Sequence, residues 1–147
     1  MKILVVFRNK GGESWKIVES LSKNLRDLGH KVDILSREDD LGIDSLSGSM
    51  GVLKETIKRK NNVGGYDIIY TNDWSIAFPL LIPERVFEKE HYCFFHNVEP
   101  KGQSKIFQRI VGNMMGDRLI VRTEKLKEIF LKSTLSPEGI KEDIFKK

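Results

Sequence analysis

Apolar residues recur along the chain in short runs that are separated by longer amphipathic stretches. Three of these runs are almost continuously apolar, which is typical of strands covered on both faces of a parallel sheet. The chain is therefore predicted to contain five strands, at residues 2–7, 31–35, 67–71, 91–95 and 118–121.

The stretches between these runs carry apolar residues at helical spacing. In residues 14–28, Val18, Leu21 and Leu25 fall on one side, and Gly29 then ends the pattern. This is the best-marked amphipathic helix of the sequence. Further helices are predicted at about 50–60, 74–82, 104–115 and 124–131.

Alternation of strands and helices favours right-handed crossovers between parallel strands. The predicted fold class is α/β, with a doubly wound, Rossmann-like parallel sheet of five or more strands and helices on both faces. Ligands of such domains bind at the carboxyl ends of the strands. The loops of interest are therefore 9–13, 36–49, 72–74 and 96–104, of which the second is the longest and is expected to be flexible or ordered by a ligand.

Composition narrows the class of protein. A chain of 147 residues with 39% hydrophobic and 31% charged positions fits one globular domain that folds without a disulfide or a metal. The net charge of +4 arises from basic residues interleaved with acidic ones, so no nucleic-acid partner is expected.

The single cysteine, Cys93, lies in an apolar run and is predicted to be a buried, inert thiol. The N-terminal apolar run is too short for a signal peptide or a membrane span, so a cytoplasmic location is expected.

The first loop contains Gly11, Gly12 and Glu13 between a strand and a helix. Paired glycines let the backbone approach a ligand, and a helix N-terminus offers N–H groups to an anion or a sugar hydroxyl. The loop matches neither the Walker A pattern nor the dinucleotide fingerprint, which argues against nicotinamide and flavin cofactors. A plain tight turn is the alternative.

Polar residues follow the third and fourth strands. Asp73 can accept hydrogen bonds from hydroxyl groups and Trp74 can pack on a sugar ring, but Asp73 can equally cap the next helix while Trp74 fills the core. His96, followed by Asn97 and Glu99, can donate to a phosphate or move a proton, or can be a hydrogen-bonded structural residue.

Other titratable residues are assigned structural roles. His30 and His91 lie at the amino edge of the predicted sheet, away from the ligand-binding loops. No cluster of His, Cys, Asp and Glu has the spacing of metal ligands, so no metal site is predicted.

Several of these segments, taken in order, resemble the N-terminal domain of family-four glycosyltransferases of the GT-B fold, which are related to glycogen and starch synthases. Residues 11–13 are similar to that family's Gly-Gly-x-Glu loop, with one residue missing. Residues 67–74 are similar to its Asp-hydrophobic-hydrophobic-His-x-His-Asp-Trp strand, with Tyr70 and Asn72 in place of the histidines. The remaining matches are His96-Asn97, the segment 116–124 with Thr123 in the helix-capping position, and the segment 137–145, which is similar to the stretch where that family's chain enters its second domain.

The resemblance implies sugar transfer from a nucleotide-sugar to a sugar or lipid-linked acceptor, with retention of configuration and without a cofactor or metal. It implies an acceptor-side domain at 1–135 and, at 136–147, the start of a linker to a C-terminal donor-binding domain. His96 would contact the reacting sugar. The other strand-end residues would line the cleft: Gly11, Gly12 and Glu13 toward the donor phosphates or the acceptor, and Asp73, Trp74, Asn97 and Glu99 toward the acceptor.

Two functions of different class follow from these observations. The first is a glycosyltransferase that needs a donor-binding domain, in the same chain or a separate one, so that residues 1–147 alone are expected to be inactive. The second is a stand-alone Rossmann-like binding or regulatory module without catalysis. The predicted helix at 104–115 also mixes basic and large apolar residues, as membrane-surface helices do, but the same pattern is better explained by a helix that covers the sheet.

Overall fold

The apolar runs form a six-stranded sheet. The computed structural model describes residues 1–11, 13–41, 49–62, 65–81 and 91–136. The strands are β1 (Lys2–Phe7), β2 (Lys31–Ser36), β3 (Ile68–Asn72), β4 (His91–Phe95), β5 (Leu119–Val121) and β6 (Thr134–Leu135). The helices are α1 (Glu13–Asp27), α2 (Arg37–Leu41), α3 (Ser49–Asn62), α4 (Trp74–Leu81), α5 (Gln103–Met115) and α6 (Glu124–Ile129), with a short 3-10 helix at Gly116–Arg118.

All neighbouring strands are parallel, in the order β2-β1-β3-β4-β5-β6. The chain moves outward from β1 to β2, crosses back to β3 and then continues in the opposite direction. The strand order therefore reverses between β1 and β3. In open α/β sheets, a crevice at the carboxyl ends of the strands flanking such a reversal is the usual ligand site.

Helices cover both faces of the sheet, as a doubly wound fold requires. Ile3, Val5 and Phe7 of β1 belong to the core cluster that includes the apolar side of α1. Leu4 and Val6, which alternate with them, pack in the cluster formed with α3 and α4. The helices α4, α5 and α6 share a further cluster with β4 and β5. Successive side chains of β1 thus point to opposite faces of the sheet, and helices cover both faces. The predicted fold class is therefore confirmed.

The prediction of a loop at 36–49 was wrong for residues 37–41, which form α2. Five residues are too few for a helix to persist through intrinsic propensity alone. Here hydrogen bonds from outside the helix hold it: the Ser36 amide donates to Asp40 at 2.7 Å, and the carboxylate of Asp39 accepts from the Lys10 amide at 2.8 Å. Residues 42–48 lie outside the described residues.

The C-terminal elements are held by a cap and a close helix contact. The Thr123 hydroxyl accepts a hydrogen bond from the Leu126 amide at 3.3 Å and so caps α6, the position that the family resemblance gave it. At Gly112 of α5, an added Cβ would lie 2.7 Å from Cδ1 of Phe130, so the glycine permits the close approach of the two segments. The predicted linker lies, apart from Ser136, outside the described residues. Within the described part of the chain, no helix is long and apolar enough to cross a bilayer.

Candidate functional site

A pocket of about 240 Å³ opens at the carboxyl ends of β1, β3 and β4. It lies beside the reversal of strand order between β1 and β3. Seven of its nine residues end these strands or lie in the loops that follow them, and two come from the helices α1 and α5. The lining residues are Arg8, Ser14, Asn72, Asp73, Phe95, His96, Asn97, Glu99 and Gln108.

His96 is held by residues of two adjacent strands. The register pairs Asn72 of β3 with Phe94 of β4, so His96 lies two residues beyond Phe94 on the same face of the sheet. Its Nε2 is 2.6 Å from Oδ1 of Asn72, whose Nδ2 donates to the carbonyl of Ser14 at 3.5 Å. The Phe94 ring meets the imidazole edge to face, at 4.7 Å between centroids. The ring is therefore fixed on one face by packing and at one nitrogen by a hydrogen bond.

Asp73 forms the turn between β3 and α4. Its φ of 121° is unusual for a residue with a side chain. Its carboxylate accepts hydrogen bonds from the Trp74 amide at 2.7 Å and from the Ser75 hydroxyl at 2.8 Å. Asp73 therefore caps α4, the structural role that the sequence left open, and it also lines the pocket. Burial raises the pKa of this carboxyl, an effect that the hydrogen bond from Ser75 opposes. The buried Arg37 donates to the Ser75 hydroxyl at 3.3 Å, which links a guanidinium to the carboxylate through one hydroxyl.

Trp74 is a core residue. Its side chain is 6% exposed, and its ring lies nearly parallel to that of Phe107 at a centroid distance of 5.9 Å. Its indole Nε1 donates to Oε1 of Glu99 at 3.1 Å. The expectation that this indole stacks on a sugar is corrected, because the ring is packed inside the protein. Its contribution to the pocket is to hold the carboxylate of Glu99.

Sequence reasoning missed Gln108, which organises the loop after β4. This residue of α5 is 4% exposed; its Nε2 donates to the carbonyl of Asn97 at 2.8 Å, and its Oε1 accepts from the amide of Glu99 at 3.0 Å. One amide group thus binds the backbone on both sides of a single residue. A signal was present, because Gln108 lies three residues before the buried Val111, on the apolar side of an amphipathic helix.

The loop after β1 is bonded to α2. Glu38 accepts from Arg8 Nε at 2.7 Å and from Asn9 Nδ2 at 2.6 Å, and these two hydrogen bonds lower the pKa of its carboxyl. The Gly11 amide donates to Asn9 Oδ1 at 3.2 Å. Gly11 is not among the lining residues, Gly12 lies outside the described residues, and Glu13 is the first residue of α1. From the segment between β1 and the first turn of α1, the lining residues of the pocket are Arg8 and Ser14.

Two further titratable side chains, those of His91 and Cys93, are buried in the core and do not line the pocket. His91 is buried, with Nε2 at 2.7 Å from the Thr71 hydroxyl, and burial lowers its pKa to about 3. Burial raises the pKa of the Cys93 thiol to about 12, in agreement with the predicted inert cysteine. Among the residues that the structure describes, no group of three His, Cys, Asp or Glu side chains is placed to hold a metal ion.

No family model matches the sequence, and the curated proteins give no significant match. Among solved structures, the chain is similar to the crystal structure of Smu.1420 from Streptococcus mutans UA159, at 16% identity and a TM-score of 0.49, over 99% of this chain and 93% of that chain. The assignment of the fold rests on the sheet order and the helix placement described above.

Proposed function

We propose that this chain is the acceptor-binding half of a retaining glycosyltransferase, which moves a sugar from a nucleotide-sugar to an acceptor hydroxyl. The observation that carries the proposal is that Asp73 after β3 and His96, Asn97 and Glu99 after β4 line one pocket. These are residues to which the resemblance to family-four glycosyltransferases gives contacts with sugars. The proposal thus joins the sequence resemblance to a pocket at the usual ligand position of the fold.

The chemistry of the pocket suits a ligand rich in hydroxyl groups. The carboxylates of Asp73 and Glu99 accept hydrogen bonds, and the side-chain amide of Asn97 can both donate and accept. The volume of about 240 Å³ is below the range of about 300–1,000 Å³ that is usual for pockets of drug-sized ligands. A single sugar ring therefore fits the proposal better than a whole nucleotide-sugar.

In the proposed reaction the protein orients the reactants and stabilises charge. Asp73 and Glu99 hold acceptor hydroxyl groups, so that the attacking oxygen meets the donor sugar with little loss of entropy. His96 contacts the reacting sugar, and the guanidinium of Arg8, which also pairs with Glu38, provides a cation in the pocket lining for the departing diphosphate. The nucleotide would be bound by a donor-binding domain, so residues 1–147 by themselves are expected to bind the acceptor but not to catalyse transfer.

A stand-alone binding module is the second candidate, and one observation favours it. Much of the hydrogen-bonding capacity of the pocket is used within the chain: Asp73 accepts from Trp74 and Ser75, and Glu99 accepts from the indole of Trp74. Such mutual bonding gives a rigid site, which favours binding through preorganisation. In this case the pocket binds a sugar-like ligand without chemistry.

Ligand binding is the first test. Amide resonances of the ¹⁵N-labelled chain are followed by NMR during titration with simple glycosides and with nucleotide-sugars. We expect saturable shifts confined to the pocket residues with glycosides, and loss of binding in His96→Ala. The matched control is His30→Ala, since His30 lies at the opposite end of the sheet, beside the N-terminal amine. Absence of binding to every glycoside and nucleotide-sugar contradicts both candidate functions.

Transfer separates the two candidates. Product formation is measured with the chain alone and then with a donor-binding domain added as a separate chain. Transfer only in the mixture, abolished or strongly reduced by His96→Ala, supports the glycosyltransferase. Glycoside binding without transfer in either sample supports the binding module.

A further inference from the structure

The contacts around His96 determine which ring nitrogen carries the proton. A carbonyl oxygen only accepts hydrogen bonds, so the Ser14 carbonyl must face the NH₂ end of the Asn72 side chain, at 3.5 Å. The oxygen end of the same amide then faces Nε2 of His96, at 2.6 Å. Because an amide oxygen also only accepts, Nε2 must be the donor.

We propose that Asn72 is a positioning residue that holds His96 with its proton on Nε2, so that Nδ1 is the hydrogen-bond acceptor of the ring. The part that this acceptor plays in sugar transfer rests on the proposed function. The position of the proton follows from the contacts within the chain and is independent of that function.

The surroundings make this arrangement rigid. Asn72 is 2% exposed, and turning its amide over would place its oxygen against the Ser14 carbonyl, so that two acceptors would face each other. The Phe94 ring stands at 88° to the imidazole and limits rotation of His96. Movement of the proton to Nδ1 would bring two acceptors, Nε2 and the Asn72 oxygen, against each other and leave a buried amide oxygen without its donor.

An asparagine at position 72 differs chemically from the residues that could replace it. A histidine there could either donate to His96 or accept from it, and the proton could then lie on either nitrogen. An aspartate would favour the doubly protonated, charged imidazolium. The neutral amide fixes the direction of the hydrogen bond without adding charge. The charged side chains that line the same pocket are Arg8 directly after β1, Asp73 directly after β3 and Glu99 from the loop after β4.

The chain is suited to a direct test, because it has only three histidines. Two-dimensional ¹H–¹⁵N spectra of the imidazole rings distinguish the two neutral tautomers and the imidazolium. His30 and His91 serve as internal references, since His91 is buried with a pKa of about 3 and stays neutral at ordinary pH. Single His→Gln variants assign the three rings. We expect His96 in the intact chain to show the tautomer protonated at Nε2.

Substitutions at position 72 test the cause. In Asn72→Leu we expect a mixture of both tautomers at His96. In Asn72→Asp we expect the pKa of His96 to rise by about one unit or more relative to the unmodified chain, because a carboxylate within hydrogen-bond distance favours the imidazolium. The matched control is Asn113→Leu on the exposed side of α5, which should leave the spectrum of His96 unchanged.

Each outcome decides the inference. A His96 ring protonated at Nδ1, or as an even mixture, in the intact chain overturns it even if Asn72→Leu fails to fold. A spectrum unchanged in both Asn72 variants shows that Asn72 does not position the ring. Glycoside binding is a separate measurement, so an Nε2 tautomer without glycoside binding refutes the proposed function and leaves this inference intact.

Discussion

Replacement of Gln108 by leucine tests how the loop that carries His96 and Glu99 is held. The side chain of Gln108 reaches from α5 to the carbonyl of Asn97 and the amide of Glu99. Leucine has a similar size but neither a donor nor an acceptor. The substitution therefore removes both hydrogen bonds while it keeps the apolar contacts of the helix.

The expected loss of stability follows from those two bonds. Each contributes about 0.5–1.5 kcal/mol net to the free energy of unfolding. Because Gln108 is 4% exposed, leucine recovers part of this through burial of its apolar side chain. We expect a net loss of about 1–2 kcal/mol, which for a chain of this size lowers the melting temperature by roughly 2–8 °C.

The second expectation is local. Amide hydrogen exchange at Glu99 should become faster by about tenfold or more, since a loss of 1.4 kcal/mol corresponds to a factor of ten in an equilibrium constant. On the proposed function, glycoside affinity should also fall, because the backbone at Glu99 is held less firmly although its carboxylate still accepts from Trp74. Gln103→Leu is the matched control: it changes the other glutamine of the chain, which lies exposed at the start of the same helix.

Equal melting temperatures and equal exchange rates at Glu99 in the two leucine variants would refute this reasoning. Gln108→Glu gives an independent check. A carboxylate at this position keeps the acceptor for the Glu99 amide but loses the donor for the Asn97 carbonyl. Its destabilisation should therefore diminish at low pH, where the protonated carboxyl regains a donor.

Three further predictions concern the core. Gly112→Ala should lower the free energy of unfolding, measured by thermal unfolding, by about 1 kcal/mol. Overpacking against Phe130 costs about 1–3 kcal/mol, whereas the higher helix propensity of alanine contributes only about 1 kcal/mol. His91 is protonated near pH 6.5 in the unfolded chain but only near 3 in the folded one, so stability should fall by up to about 1.4 kcal/mol per pH unit as pH falls through this window. The buried Cys93 thiol, whose pKa is raised to about 12, should resist alkylation in the folded chain and react once urea unfolds it.

Each of these predictions has its own control. In a Phe130→Leu background Gly112→Ala should become neutral or stabilising, and an unchanged penalty there would exclude Phe130 as its cause. His91→Gln should flatten the dependence of stability on pH, and an equally steep slope would show that other groups cause it. Rapid alkylation of Cys93 under native conditions would contradict its burial.

The order of strands and helices along the chain was readable from the sequence because it depends on local periodicity. An apolar run in the sequence predicts strand β4, and the helical spacing of Val18, Leu21 and Leu25 predicts α1. The position of His96 at the end of a strand follows directly, since the residue after a buried strand leaves the sheet at its carboxyl edge. These features need only neighbours a few residues apart.

The tertiary structure alone decided the strand order and the contacts of the site. The reversal between β1 and β3 depends on pairing across about sixty residues, for which local periodicity carries no signal. Asn72 meets His96, and Gln108 meets the loop after β4, only because strands and a helix distant in sequence are packed together. The helix α2 likewise forms where the sequence predicts a loop, since its carboxylates bind Ser36 and the Lys10 amide. Local pattern thus determined most of the elements, with α2 and β6 as exceptions, whereas long-range packing determined which polar side chains share the pocket.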